Sequence, residues 1–194
     1  MRIFVTGTGR CGTSTFYQAV SHATNFTAGH ESRAGRLEQH EYPDNHIEVS
    51  SQLVVDLPRL MSIYPDSRWV HLVRGKAATV ESLANCCPDA MECYAIQWFQ
   101  RPFAKHDRKL HRQQLLDTAE MYYNNVNLLV SSIFKQTSPD RAHTFLLHRD
   151  VNRWDYWWNM LELEGDLEAS KQEWLKKYNA ANNRGRDSFS PLEA

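Results

Sequence analysis

No apolar run in these 194 residues approaches the roughly 18 that a membrane-spanning helix needs. Arg2 is followed at once by a short strand-like run and a glycine loop, so no secretory leader is expected. Cysteine is scarce: Cys11, Cys86, Cys87 and Cys93 form no CxxC pair and no disulfide framework, which fits a reducing, cytoplasmic compartment. An excess of either charge is also missing. The 22 Lys and Arg against 23 Asp and Glu leave a net charge of −1, which argues against nucleic acid as a partner and makes any anion site a local one. HExxH is absent, and His30, His40 and His46 with Glu31 and Glu41 lack ligand spacing, so no metal is expected. There are no internal repeats, low-complexity blocks or dividing linkers. What remains is an ordinary globular composition, 42% hydrophobic and 23% charged, read as one domain over 1–194 with no membrane association.

The order of elements follows from short apolar runs and their punctuation. Residues 2–6 (RIFVT) read as a buried strand ended by glycines, and 13–22 as a helix with Phe16, Ala19 and Val20 on one face. Further strands are expected at 25–28, 47–50, 68–73 and 143–147, with helices at 56–64, 77–86, 90–104, 112–135, 154–163 and 167–181. Trp154, Trp157 and Trp158 lie at helical spacing and read as core. Strands alternating with helices imply an α/β fold: a central, mostly parallel sheet of four to five strands flanked by helices, in a P-loop-like topology. In such sheets ligands bind beyond the carboxyl ends of the strands.

The loop at the end of the first strand, TGTGRCGTSTF (6–16), concentrates three glycines, an arginine and three hydroxyls. The glycines let the backbone approach a ligand, and the amides of Gly12, Thr13 and Ser14 at the helix start suit an anion. A plain helix-capping turn is the bland alternative. Gly7 to Gly12 matches the Walker A spacing, but Thr13 stands where that motif has lysine, which disfavours nucleotide hydrolysis or kinase chemistry. The cation is Arg10 instead. A second arginine, Arg74, ends the strand HLVR, and Ser82 follows eight residues later. Such an arginine offers a bidentate fork to a phosphate, or serves as a surface ion-pair partner.

Together these segments resemble the sulfotransferase family that uses 3′-phosphoadenosine 5′-phosphosulfate (PAPS). GRCGTS (9–14) is similar to that family's 5′-phosphosulfate loop, G-R-S-G-T-[ST], with Cys11 in place of serine. YPDSRWVHLVR followed by Ser82 is similar to its 3′-phosphate motif, with Lys76 in place of the usual proline. The resemblance implies that Gly9, Arg10, Cys11, Gly12, Thr13 and Ser14 hold the 5′-phosphosulfate, and that Arg74 and Ser82 hold the 3′-phosphate. It covers residues 1–85 by motif and the remainder only by order of elements. HTFLLHRD (143–150) resembles the family's later strand, with Asp150 structural, and NNRGR (182–186) resembles a C-terminal basic-glycine loop, against the plainer reading of a solvated tail.

Sulfuryl transfer to a hydroxyl needs a base for the acceptor proton. Glu31, in AGHESRAGR beyond the second strand, resembles the base-bearing G-x-E-x-R stretch of tyrosylprotein-type members, and His30 is the alternative base. Arg10 joins them at the transferred group, and Ser50 and Ser51 are candidate substrate contacts. The implied activity is transfer from PAPS to a small-molecule, glycan or peptide hydroxyl, without a metal. A nucleotide or nucleoside kinase with a degenerate phosphate loop and a non-catalytic nucleotide sensor stay open. The sequence leaves the oligomeric state open.

Overall fold

Alternate side chains of the first strand enter two different cores. Ile3 and Val5 point to one face of the sheet and Phe4 to the other, all fully buried. The computed structural model describes residues 1–33, 41–86 and 111–178. Within them, β1 (Arg2–Gly7), β2 (Thr27–His30), β3 (His46–Val49), β4 (Arg68–Val73) and β5 (Ala142–Leu146) form one parallel sheet in the order β2-β3-β1-β4-β5. The chain leaves β1 toward β2 and β3 on one side, then crosses to β4 and β5 on the other. The loop after β1 therefore emerges where the winding reverses, the place at which open α/β sheets hold ligands.

One face carries α1 (Thr13–Val20), α6 (Trp154–Met160) and α7 (Leu167–Glu173). Its centre is aromatic: Phe16 meets Phe145 and Trp154 edge-on, with ring centroids 5.5 and 5.3 Å apart. Trp154 Nε1 donates to Ser170 Oγ at 2.8 Å, and that hydroxyl donates to the Ala19 carbonyl at 2.7 Å, so one buried chain of bonds joins three helices. The other face carries α2 (Leu57–Ile63), α3 (Lys76–Cys86) and the long α4 (Arg112–Phe134), packed on Phe4 and Trp69, which stack at 4.5 Å. Helix α4 buries Leu115, Ala119, Tyr122, Val126, Val130 and Phe134, one stripe at steps of three and four. Between these elements lie a 3₁₀ turn at Ser51–Asp56 and the single turn α5 (Leu147–Asp150). The buried Asp150 accepts the Leu146 amide at 2.7 Å, a structural role as expected.

All five expected strands form, and the sheet is wholly parallel. The second begins at Thr27 rather than 25, because Asn25 is drawn away: its side chain bonds the Glu162 carbonyl and the Glu164 amide. The helix expected over 154–163 ends at Met160, just before Glu162 turns left-handed at φ 57°. The helix expected over 167–181 ends at Glu173. The expected helix at 90–104, Cys87, Cys93, His40 and NNRGR lie outside the described residues. Among the described residues no helix is long and apolar enough to cross a membrane.

Buried within β4, His71 meets Asn127 Oδ1 through Nε2 at 2.9 Å, and burial pulls its pKa down to about 4. The fold therefore keeps the ring neutral where the unfolded chain, near 6.5, takes up a proton. This contribution is complete above pH 6.5 and is lost as pH falls toward 4, by about 3 kcal/mol in all. Chemical denaturation at pH 7 and pH 4.5 is expected to show a stability loss that His71→Gln largely removes. An equal loss in both proteins would refute the assignment.

Candidate active site

The carboxyl ends of all five strands deliver residues to one cleft of about 800 Å³. From β1 come Gly9, Arg10 and Gly12, then Thr13, Ser14 and Thr15 of α1; from β2 His30 and Glu31; from β3 Ser51; from β4 Arg74; from β5 Leu147. The volume is in the range of small-molecule sites.

The glycine loop is shaped by two left-handed residues, Arg10 at φ 65° and Gly12 at φ 106°. Gly12 is the N-cap of α1 and accepts the Phe16 amide at 2.9 Å, a conformation that disfavours any other residue. No side chain caps this helix, and its first turn lines the cleft, so the positive end of its dipole is turned toward whatever binds there. Cys11 does not join the lining. Its thiol is fully buried in the core, and desolvation pushes its pKa up to about 12.

Arg74 leaves the end of β4 and donates through Nη1 to the Arg10 carbonyl at 3.1 Å, which ties the two expected phosphate contacts together. Ser82, expected to share the 3′-phosphate with Arg74, lines the same cleft and accepts from Arg10 Nε at 3.1 Å. Two tyrosines of α4 support this corner. The Tyr122 hydroxyl accepts the Gly9 amide at 3.0 Å, and the Tyr123 hydroxyl donates to the Arg74 carbonyl at 2.9 Å. Nothing in the spacing of MYYNN ties these side chains to Gly9 and Arg74, 113 and 49 residues earlier.

Across the cleft, Glu31 follows directly on β2 with φ 51°, its amide donating to the Val49 carbonyl at 3.1 Å. Ser51 Oγ donates to Glu31 Oε1 at 3.1 Å and so orients the carboxylate. Ser50 is instead buried and caps the 3₁₀ turn, accepting from the Gln52 amide. His30 leans its ring on Tyr17 at 5.6 Å, and its Nε2 is buried without a hydrogen-bond partner.

A further wall is Val151 with Trp174, Lys176, Lys177 and Tyr178, the last four where the sequence suggested only the end of a helix. Glu173 ties this wall down. It accepts from Lys176 Nζ at 2.8 Å, from the Tyr178 hydroxyl and from His22 Nε2 at 3.1 Å, and these bonds draw its pKa down to about 2. Among the described residues, Arg10, Arg74, Lys176 (itself paired with Glu173) and Lys177 line the cleft with two carboxylates, Glu31 and Glu81, and Glu81 is also held by Arg112. The cleft is locally cationic in a protein of near-zero net charge, an arrangement suited to a polyanion.

No protein-family model and no curated protein matches this chain. Among solved structures, it is similar to the sulfotransferase domain from the curacin biosynthetic pathway, with a TM-score of 0.63 and 11% identity, over 90% of this chain and 78% of that one. The likeness at this identity is one of fold: the chain has the α/β, P-loop-like fold of a sulfotransferase domain.

Removing the Tyr122 hydroxyl leaves the Gly9 amide without its acceptor. Tyr122→Phe is expected to cost about 1 kcal/mol in denaturant unfolding. Tyr123→Phe, which frees the Arg74 carbonyl, is expected to cost a similar amount. If both variants unfold at the wild-type midpoint, the tyrosines do not support the loop.

Proposed function

We propose that this protein, acting as a single domain over 1–194, transfers the sulfuryl group of PAPS to the hydroxyl of a small-molecule, glycan or peptide acceptor. The observation that carries this reading is the opposition, across one crevice, of an oriented carboxylate to a cationic corner built on an uncapped helix start. The shared fold supports it.

The residues suit the donor in type and placement. Arg10 with the first turn of α1 would hold the 5′-phosphosulfate, and Arg74, with its guanidinium fork, and Ser82 would hold the 3′-phosphate. The donor supplies a sulfuryl group already joined to a good leaving group. In the transfer, the acceptor oxygen bonds to sulfur, the bond from sulfur to the 5′-phosphate oxygen breaks, and the acceptor proton passes to Glu31. The products are a sulfate ester and adenosine 3′,5′-bisphosphate. Arg10 and the helix amides stabilise the charge that moves onto the departing phosphate, the kind of preorganised electrostatics that dominates such transfers. Ser51 holds Glu31 in position to take the proton. His30, with its unpartnered Nε2 on the same wall, is the alternative base.

One observation favours a second reading, a nucleotide or nucleoside kinase: Lys176 and Lys177 bring to the cleft the kind of cation that Thr13 denies the loop. Thermal unfolding with adenosine 3′,5′-bisphosphate, ATP-Mg and AMP separates the two. Only the bisphosphate is expected to stabilise, by about 2.7 kcal/mol at a hundred times its dissociation constant, and Arg74→Ala is expected to abolish the effect. Stabilisation by ATP-Mg as strong or stronger would transfer the assignment to the kinase. In a turnover assay, Glu31→Gln is expected to lower kcat by a factor on the order of 10² to 10⁴ while leaving bisphosphate affinity unchanged. Undiminished turnover in that variant would move the base to His30.

A further inference from the structure

Behind the cleft, β3 carries a carboxylate that the transfer scheme does not use. Glu48 is 1% exposed on a strand whose neighbours Ile47 and Val49 are core residues. A carboxylate taken out of water in this way is costly unless its oxygens find donors. Here both oxygens are spent on the residue that follows Glu31. Oε1 accepts the Ser32 amide at 2.9 Å, and Oε2 accepts the Ser32 hydroxyl at 2.5 Å. Oε2 also meets His46 Nε2 at 3.3 Å, and the His46 ring is oriented by Thr27 Oγ1 at 2.8 Å from Nδ1.

The surroundings are built to admit this carboxylate. A Cβ at Gly29 would lie 2.6 Å from Glu48 Oε2 and 3.1 Å from His46 Nε2, so the carboxylate occupies the space that a side chain at 29 would need. Residues 31 and 32 are thus pinned by two consecutive residues of β3. The Val49 carbonyl takes the Glu31 amide, and the Glu48 carboxylate takes the Ser32 amide. Between those two bonds sits Glu31 at φ 51°, a left-handed conformation that a glutamate does not favour by itself.

We propose that Glu48 is a positioning residue for Glu31: by gripping the Ser32 amide and hydroxyl, it fixes the left-handed turn that presents the Glu31 carboxylate to Ser51 and the cleft. The proposal rests on the reading of Glu31 as the base. Its chemistry is that of a buried anion acting through its neighbour, and it touches neither donor nor acceptor. The same contact explains why glycine stands two residues before Glu31 and serine directly after it.

The test compares the full chain as wild type, Glu48→Gln, Ser32→Ala and Glu31→Gln. It uses calorimetric affinity for adenosine 3′,5′-bisphosphate, amide hydrogen exchange at Ser32, and kcat and KM for PAPS turnover with p-nitrophenol as probe acceptor. Glu48→Gln keeps one acceptor for the Ser32 amide but loses the charge and the second acceptor; Ser32→Ala removes the hydroxyl arm alone at an exposed position. Both are expected to speed exchange at Ser32 and to lower kcat, Glu48→Gln by up to about a hundredfold, with acceptor KM and bisphosphate affinity within twofold of wild type. A merely structural role would weaken bisphosphate affinity along with turnover and would not separate kcat from KM. Unchanged Ser32 exchange, or full kcat in Glu48→Gln while Glu31→Gln is inactive, would overturn the positioning role alone. Full kcat in Glu31→Gln would overturn the base assignment and this role with it, with donor binding unaffected.

Discussion

Parallel pairing of β1 with both β3 and β4 is the constraint on which the remaining arrangement depends. Every pairing in this sheet is parallel, so all the strands run the same way and all end on one edge. The loops that leave those ends have no other place to converge. Glu31 follows β2, Ser51 follows β3, the glycine loop follows β1 and Arg74 follows β4, and they line one cleft because their strands end together. The two apolar faces hold the sheet between helices, which keeps the cleft at its edge and out of the core.

Charge then sorts itself on that edge. Arg10 and Arg74 share the corner at the ends of β1 and β4, Lys176 and Lys177 line the cleft from the segment after α7, and Glu31 lines it from the end of β2. Like charges drawn together repel, and neutral acceptors hold the two arginines in place: Arg74 donates to the Arg10 carbonyl and Arg10 to the Ser82 hydroxyl. An incoming polyanion would relieve the remaining repulsion, and the differential benefit is greatest where the positive charges are already held in place. The buried polar groups nearby follow the same logic. Glu48, Glu173 and Asp150 are each held by several donors, and each fixes a segment that borders the cleft.

Much of this was legible from sequence because it is local. The strand RIFVT, the glycines after it and the hydroxyls of the following turn lie within one stretch of 16 residues, and their types declare a backbone that must bend sharply and present amides. Arg74 and Ser82 sit at the end of a strand and on the next helix, so their spacing carries their placement. Local signals were less reliable at element ends. Asn25 reads as a strand residue until its side chain is seen to bond the turn at 162–164, and the helix at 167 reads on past Glu173 until the carboxylate is seen to gather Lys176 and Tyr178.

What the sequence by itself determined is therefore the fold class, the order of elements and the residue types at the edge of the sheet, since each follows from periodicity and punctuation over a few residues. The tertiary structure alone decided the partners. Ser82 takes Arg10, 72 positions away; Gly9 takes Tyr122, 113 away; Ser32 takes Glu48, 16 away; and the Cys11 thiol turns into the core while its neighbours face the cleft. No spacing rule reaches across such separations. These contacts exist because packing the two sheet faces leaves particular donors and acceptors within about 3 Å of each other, and a buried polar group left without a partner costs more than one that finds it.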